Sequence, residues 1–382
     1  MQISKFATPE IIFGNESLSQ VGESLSRLGA KKVFLVSDSG VLNAGWAEQT
    51  IKYLQDSNLD YHLWTQVTPN PKDYEVHAGA AEYRAQECNA ILGVGGGSAM
   101  DAAKAIALLG TNDGSILHYE GVDKIVRPLP PMVMLPTTAG SGSEVSQFSI
   151  IVDSERQVKM AIISKSLIPD IAIIDPQTLM TKDRRLTANT GIDALTHAIE
   201  SYISLAATPL TEVLSLSAMR LISQHLRPSV ASAYNLEAKQ AMAMASLQAG
   251  IAFSNAILGA IHAMSHQLGG LLDTPHGEVN AILLPYVLEY NYIAAPEKYV
   301  KMAEAMGENV TGLSQHDASQ LMMKAVTNLT RDLQIPVTLS ELGLQPEQID
   351  RLSQTAVQDI CMATNPRDMS VDDVKALYQK AL

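Results

Sequence analysis

The chain has 382 residues, 46% of them hydrophobic and 18% charged, and a mean hydropathy of +0.06, too apolar for a disordered chain. Its 40 acidic and 27 basic residues give a formal charge of −13, a field that repels a phosphate backbone and argues against nucleic acid as a partner. The two cysteines, Cys88 and Cys361, are too few for a disulfide framework, and no segment reads as a signal peptide or a bilayer span, so a soluble, cytoplasmic protein with no membrane partner is expected.

From Lys31 to Pro176 short apolar runs alternate with amphipathic stretches: KKVFLVSD, a helical segment from about Gly45 to Ser57, YHLWTQV, a helix through VHAGAAEYRAQE, and AILGVGGG. This is the rhythm of βαβ units, and it predicts an α/β domain with a parallel, Rossmann-like sheet covered by helices on both faces. Further strands are expected at PMVMLPTT, SQFSIIVD and DIAIIDP, the last two bracketing the turn-like DSERQ and a reversal near IPD. Beyond Asp175-Pro176 the Gly/Pro punctuation thins, and DALTHAIESYISLA, TEVLSLSAMRLISQHL and the long stretch LEAKQAMAMASLQAGIAFSNAILGAIHAMSHQL carry helix-period apolar positions. An all-α second domain follows, with a charged linker near Lys182 to Leu186 as the boundary. The expected division is 1–183 and 184–382.

AILGVGGGSAMDAAKAIALL reads as a buried strand, a loop carrying Gly95, Gly96 and Gly97, and a helix opening near Ser98. Glycines let backbone N–H groups approach a pyrophosphate, and the helix adds the positive end of its dipole. The usual dinucleotide fingerprint wants a third glycine where Ser98 stands, so the loop alone is equally a tight βα turn. Asp38, at the end of KKVFLVSD, is placed to hold the hydroxyls of an adenine ribose or, more plainly, to cap the next turn. Asp101, in the first helical turn, suits the dipole but would repel a phosphate, and is read as structural. LPTTAGSGSE offers the hydroxyls of Thr137, Thr138, Ser141 and Ser143 on a turn after a strand.

The helical half holds two compact histidine motifs. Asp193 and His197 in GIDALTHAIE are spaced i, i+4 and share a helix face, as do His262 and His266 in GAIHAMSHQLGGLLDTPHG, where His276 follows a Gly-rich break and a proline. Singly, each is more simply a satisfied core or surface histidine. Together, buried beside Asp193, they would need separate partners, whereas one shared cation satisfies them all. Imidazoles with one carboxylate suit Fe(II) or Zn(II).

The four motifs GGGSAMDAAK, LPTTAGSGSE, GIDALTHAIE and GAIHAMSHQLGGLLDTPHG, in this order, resemble those of the iron-containing, or group III, alcohol dehydrogenases, and the likeness runs from PEIIFGNESL to the C-terminal helices. The resemblance is nearest the lactaldehyde reductase, 1,3-propanediol dehydrogenase and ethanol dehydrogenase branch. It implies an N-terminal dinucleotide-binding α/β domain, a C-terminal helical metal-binding and catalytic domain, and a homodimer. Carried over by position, it implies Asp193, His197, His262 and His276 as ligands of Fe(II), with Zn(II) the alternative, and His266 as a proton-handling residue near the nicotinamide. NAD would lie along Asp38, Asn70 in the PNP turn, Gly96, Gly97, Ser98, Thr137, Thr138, Lys159 and Leu179. Phe148 and Phe253 would line the substrate pocket, and Phe148 stands where lactaldehyde reductases carry a polar side chain.

The reaction so implied is metal-assisted hydride transfer between a primary alcohol or aldehyde and NAD(H). A zinc glycerol dehydrogenase-like enzyme or a dehydroquinate synthase-like lyase on the same fold is the alternative. A lyase acting on a phosphorylated acid calls for clustered Lys and Arg, yet Arg220, Arg227 and Lys239 are the basic side chains other than His between Asp193 and His276. A filament-forming structural relative is the other rival, disfavoured because no extra catalytic domain or long linker is read in the sequence, and a catalytically dead relative is disfavoured because no ligand is missing.

Overall fold

The computed structural model describes residues 5–382. The chain divides into two compact units, one ending at Thr181 and the next beginning at Lys182.

In the N-terminal unit the strands are β1 (Glu10–Phe13), β2 (Lys32–Val36), β3 (Asp60–Trp64), β4 (Ala90–Gly95), β5 (Gly121–Val122), β6 (Met132–Pro136), β7 (Phe148–Asp153), β8 (Val158–Ile163) and β9 (Ile171–Ile174). The helices are α1 (Val21–Arg27), α2 (Ser39–Asn43), α3 (Trp46–Asp56), α4 (Asp73–Ala85) and α5 (Gly97–Thr111). Six strands pair in the order β1-β9-β6-β4-β2-β3, all parallel. Every residue of β4 is buried, as expected of a central parallel strand covered on both faces, so its sequence is a continuous apolar run with no alternation. One face packs a core around Phe34, Trp64, Met100 and Ile106, the other a core around Leu25, Leu35, Leu54 and Leu92.

SQFSIIVD does not join this sheet. Its strand β7 forms an antiparallel hairpin with β8, and β5 completes a separate three-stranded sheet. The hairpin turn is closed by Asp153, which accepts from the backbone of Glu155 and Arg156 and from Arg156 Nε. Strand β8 lies where the sequence suggested only a turn and a reversal. In VKMAII a lysine breaks an otherwise apolar run, leaving neither strand alternation nor a long buried stretch to mark it.

The C-terminal unit holds α6 (Arg184–Ile203), α7 (Pro209–Ala231), α8 (Leu236–Ala256), α9 (Ala260–Leu272), α10 (His276–Asn291), α11 (Pro296–Ala305), α12 (Gln315–Asp332), α13 (Ile349–Ala356) and α14 (Val371–Ala381). Among the described residues no single helix is long and apolar enough to cross a membrane. Asp183 starts α6 by accepting from the Leu186 N–H at 2.8 Å, an ordinary N-cap. From Gly191 to Ile203 this helix is buried throughout, which makes it the axis of the unit.

Two contacts fix α10 to α6. The buried Glu278 accepts from Arg185 Nε at 2.7 Å, Arg185 Nη2 at 3.1 Å and Asn189 Nδ2 at 2.8 Å. Beside it Gly277 lies against the α6 backbone, where a Cβ would fall 2.1 Å from the Asn189 carbonyl oxygen. Neither helix backbone can yield locally, so Gly277→Ala is expected to cost about 1–3 kcal/mol, more than the roughly 1 kcal/mol that alanine gains over glycine in a helix. Thermal melting checks this; an unchanged or raised Tm would show that the two helices part without penalty.

Candidate functional site

Each unit gathers one set of the residues singled out in the sequence. In the N-terminal unit β2, β4 and β6 are parallel neighbours, so the segments following them emerge at one edge of the sheet. Asp38 caps α2, its Oδ1 accepting from the Val41 N–H at 3.0 Å. Its Oδ2 lies 3.2 Å from where a Cβ on Gly95 would stand. The capping role and a place beside the glycine loop therefore coexist, one oxygen for each.

The glycines are required by close packing. A Cβ at Gly95 would stand 2.6 Å from the Ala99 Cβ, and one at Gly97 2.9 Å from the Ser141 Cβ, while Gly96 faces Thr138 at 3.4 Å. The glycine loop and the hydroxyl-rich loop are thus in contact, and the Thr137 N–H donates to the Gly95 carbonyl at 2.8 Å. Asn70, in the left-handed conformation at φ 51°, donates its N–H to Ser98 Oγ at 3.3 Å. Leu179 is buried in the Pro176–Thr181 turn, which Thr178 Oγ1 ties to the Pro136 carbonyl at 3.0 Å.

Behind the loops lies a buried polar layer. Ser143 Oγ donates to Asp101, and Lys104 Nζ donates to the carbonyls of Ser146 at 2.7 Å and Phe148 at 2.9 Å. Burial raises the Asp101 carboxyl, against the pull of Lys104, Ser143 and Lys159. Burial likewise brings Lys104 down to about 8, opposed by Asp101 and Glu144, and pushes Glu144 up to about 7. Asp101 and Lys104 tie the segment from Ser143 to Phe148 onto α5, and Phe148 itself is buried at the start of β7.

Thr137 Oγ1 is buried without a hydrogen-bond partner. An unsatisfied hydroxyl beside a loop too tight for side chains is what a polar ligand such as a nucleotide phosphate or ribose would complete.

In the C-terminal unit Asp193 and His197 share one face of α6, His262 and His266 one face of α9, and His276 opens α10. Asp193 Oδ1 is approached by His262 Nε2 at 3.8 Å and by His197 Nε2 and His276 Nε2 at 3.9 Å each. Asp193, His262 and His276 each bring one ligand atom within 4.8 Å of the others. These spacings are too long for hydrogen bonds and slightly exceed the ~3.4 Å edge of a tetrahedron with ligands about 2.1 Å from its centre. His197 is stacked between His262, at 4.6 Å, and Phe253, at 4.5 Å.

Burial opposes ionisation of Asp193, but His197, His262 and His276 outweigh it and hold the carboxyl well below its usual range. Burial also opposes protonation of His262, and the carboxylates of Asp193 and Glu200 overcome it, raising the imidazole to about 9. The cluster attracts positive charge, and a divalent cation supplies it without protonating the imidazoles. The donor set fits Fe(II) or Zn(II).

His266 stacks on His276 at 5.5 Å, and its Nδ1 lies 2.9 Å from Asp359 Oδ2. Three polar partners were not singled out from the sequence. Glu200 lies 2.6 Å from His262 Nδ1, and Asn280 Nδ2 donates to Asp193 Oδ1 at 2.8 Å, leaving its own Oδ1 buried without a partner. Helical spacing marks both, Glu200 seven residues after Asp193 and Asn280 four after His276. Asp359 carries no local signal, since 93 residues separate it from His266.

Residues 8–176 match the family model described as iron-containing alcohol dehydrogenase, and residues 187–382 match that described as Fe-containing alcohol dehydrogenase family, C-terminal. The 1,3-propanediol dehydrogenase of Klebsiella pneumoniae is 43% identical, over 97% of this chain and 96% of its own. The NAD-dependent methanol dehydrogenase of Bacillus methanolicus is 38% identical, over 99% of each. The crystal structure of a 1,3-propanediol oxidoreductase superposes with a TM-score of 0.97 at 42% identity, covering 100% of both chains. The chain belongs to the iron-containing alcohol dehydrogenase family and is an oxidoreductase.

Replacing His262 or His276 by alanine is expected to abolish cation retention while leaving nucleotide binding intact, because the candidate nucleotide loops, around residues 95–97 and 137–143, belong to the N-terminal unit. Elemental analysis after anaerobic purification, with NADH titration in parallel, checks both halves; full metal occupancy in either variant would remove that histidine from the ligand set.

Proposed function

We propose that the chain interconverts a primary alcohol and its aldehyde using NAD(H), with a divalent cation, Fe(II) or Zn(II), held by Asp193, His197, His262 and His276. The observation that carries this reading is the approach of three imidazole Nε2 atoms to one oxygen of Asp193 at 3.8–3.9 Å. A cation held there would supply Lewis acidity toward the alcohol oxygen, and bound NAD(H) would supply the hydride acceptor or donor.

The chain's own residues bind, orient and move a proton. The N–H groups of Gly96, Gly97 and Ser98, at the start of α5, bind the pyrophosphate, with the hydroxyls of Thr137 and Thr138 beside them. Asn70 braces Ser98, Lys159 adds positive charge, and Leu179 supplies apolar surface. His266 Nδ1–H donates a hydrogen bond to Asp359 Oδ2, which leaves the Nε2 lone pair to accept a proton from the alcohol side and return it in aldehyde reduction. Phe253 and Phe148 supply apolar surface for the substrate. Two buried free cysteines fit a reducing compartment, here the cytoplasm, and the assembly proposed with them is a homodimer.

Asp38 sets the preference for NAD over NADP. Its second carboxylate oxygen accepts from ribose hydroxyls but opposes a 2′-phosphate, a like-charge contact of about 4 kcal/mol at ~4 Å and an effective dielectric of 20, before screening at this half-exposed residue. Asp38→Gly removes the charge while keeping a tolerated N-cap, at a few tenths of a kcal/mol. The ratio of kcat/KM for the two cofactors is expected to move toward NADP by about tenfold or more, an effect of some 1.4 kcal/mol. A wild-type enzyme that uses NADP as well as NAD would show that Asp38 points away from the ribose.

The relatives' names, 1,3-propanediol and methanol, differ in polarity, so substrate choice rests with this chain's own pocket. Aromatic walls favour linear alcohols, because each methylene buried adds up to about 0.8 kcal/mol, or about fourfold, and an unpaired second hydroxyl is penalised. A panel run anaerobically with Fe(II) and NAD is expected to give higher kcat/KM for 1-butanol than for 1,2-propanediol; the reverse order would contradict the apolar pocket.

A further inference from the structure

Glu200 lies on α6, three residues after His197, and is 1% exposed. Its Oε1 accepts from the Ile261 N–H at 2.7 Å, and its Oε2 accepts from the His262 N–H at 3.4 Å and lies 2.6 Å from His262 Nδ1. Asn365 Oδ1 accepts from the Ala260 N–H at 3.2 Å. The first three N–H groups of α9 therefore end on side chains from outside that helix.

A carboxylate oxygen only accepts hydrogen bonds. At 2.6 Å from Oε2, Nδ1 must be the nitrogen that carries the proton, and the lone pair of a neutral His262 is left on Nε2, which faces Asp193 Oδ1 at 3.8 Å. The other tautomer would point an N–H into the cluster, where a cation needs a lone pair. We propose that Glu200 is a positioning residue that fixes His262 in its Nδ1–H tautomer and thereby sets how tightly the cluster holds a divalent cation. This rests on the reading of His262 as a ligand.

A residue that merely caps α9 would do less, and glutamine separates the two roles. In Glu200→Gln the amide oxygen must face the Ile261 N–H, because the reverse orientation opposes two donors at 2.7 Å. The short Ile261 contact of the cap survives and the longer one from the His262 N–H, at 3.4 Å, is given up, while the amide nitrogen meets Nδ1 as a donor and drives the proton to Nε2. Outer partners of metal-bound histidines are worth roughly 10–100-fold in metal affinity.

The test is the dissociation constant for Zn(II), by chelator competition, in wild type, Glu200→Gln and His262→Ala, with melting of the metal-stripped proteins alongside. Glu200→Gln is expected to melt close to wild type when stripped and to bind Zn(II) 10–100-fold more weakly, with His262→Ala weaker still. Wild-type affinity in Glu200→Gln, with the loss confined to His262→Ala, would overturn the positioning role alone. Wild-type affinity in His262→Ala would instead overturn the ligand reading beneath it. If Glu200→Gln does not fold, imidazole nitrogen-15 shifts of Zn(II)-loaded wild type decide: His262 protonated at Nδ1 supports the proposal, and protonation at Nε2 overturns it.

Discussion

A buried carboxylate with two buried imidazoles, His197 and His262, and the partly exposed imidazole of His276 beside it form the constraint around which the helical unit is built. A buried ion whose charge is not balanced costs several kcal/mol even after relaxation, and here Asp193 Oδ1 accepts one neutral hydrogen bond, from Asn280 Nδ2 at 2.8 Å, while the imidazole nitrogens face it at distances too long for hydrogen bonds. Either protons or a cation must balance the charge. The helices are placed so that a cation can: α6 brings Asp193 and His197, α9 brings His262, and α10 brings His276. Gly277, the one residue type that allows backbone contact with α6, and the Glu278 fork to Arg185 and Asn189 hold α10 at that distance.

The glycine and hydroxyl-rich loops of the N-terminal unit obey a different rule. Their shape comes from steric exclusion, with Gly95 and Gly97 packed where no Cβ fits, and from backbone groups. Titratable side chains are kept behind the loop: Asp101 and Lys104, one turn apart on α5, grip the segment from Ser143 to Phe148 by hydrogen bonds. Polar groups placed there stiffen the loop from the rear while the N–H groups in front stay available to a phosphate.

Local periodicity carried much of this and stopped where geometry became non-local. Asp193 with His197 and His262 with His266 were legible because i, i+4 spacing is itself a statement about one helix face. The core strands of the parallel sheet were legible as short, wholly apolar runs between helices. Strand β1 was not, being a four-residue edge strand that is nowhere buried; β7 was expected at SQFSIIVD, but its partner β8 was not, because VKMAII lacks the alternation that marks a half-exposed sheet. Asp359 was out of reach, since nothing in the chain between it and His266 reports their meeting. Glu200 and Asn280 were within reach of helical spacing, but an acid or amide on a buried face gains meaning only once its neighbours are known.

The site also explains an irregularity that the helical unit would otherwise have no reason to keep. Uninterrupted, α8 and α9 would make one rod of roughly 55 Å at 1.5 Å per residue, carrying His262 along the α8 axis. Instead the chain turns by 101° between them, at Ile257, a β-branched residue held at φ 60°. Such a conformation costs about 1–3 kcal/mol and persists only where surrounding contacts over-determine it. The turn frees the N–H groups that begin α9, and Glu200 receives them, accepting from the Ile261 N–H at 2.7 Å, a charged-acceptor contact of about 1.5–3 kcal/mol, and more weakly from the His262 N–H at 3.4 Å. The same carboxylate that offsets the strain of the break orients the imidazole the break delivers, so the strain at Ile257 and the placement of His262 form one device: a straight helix would have neither.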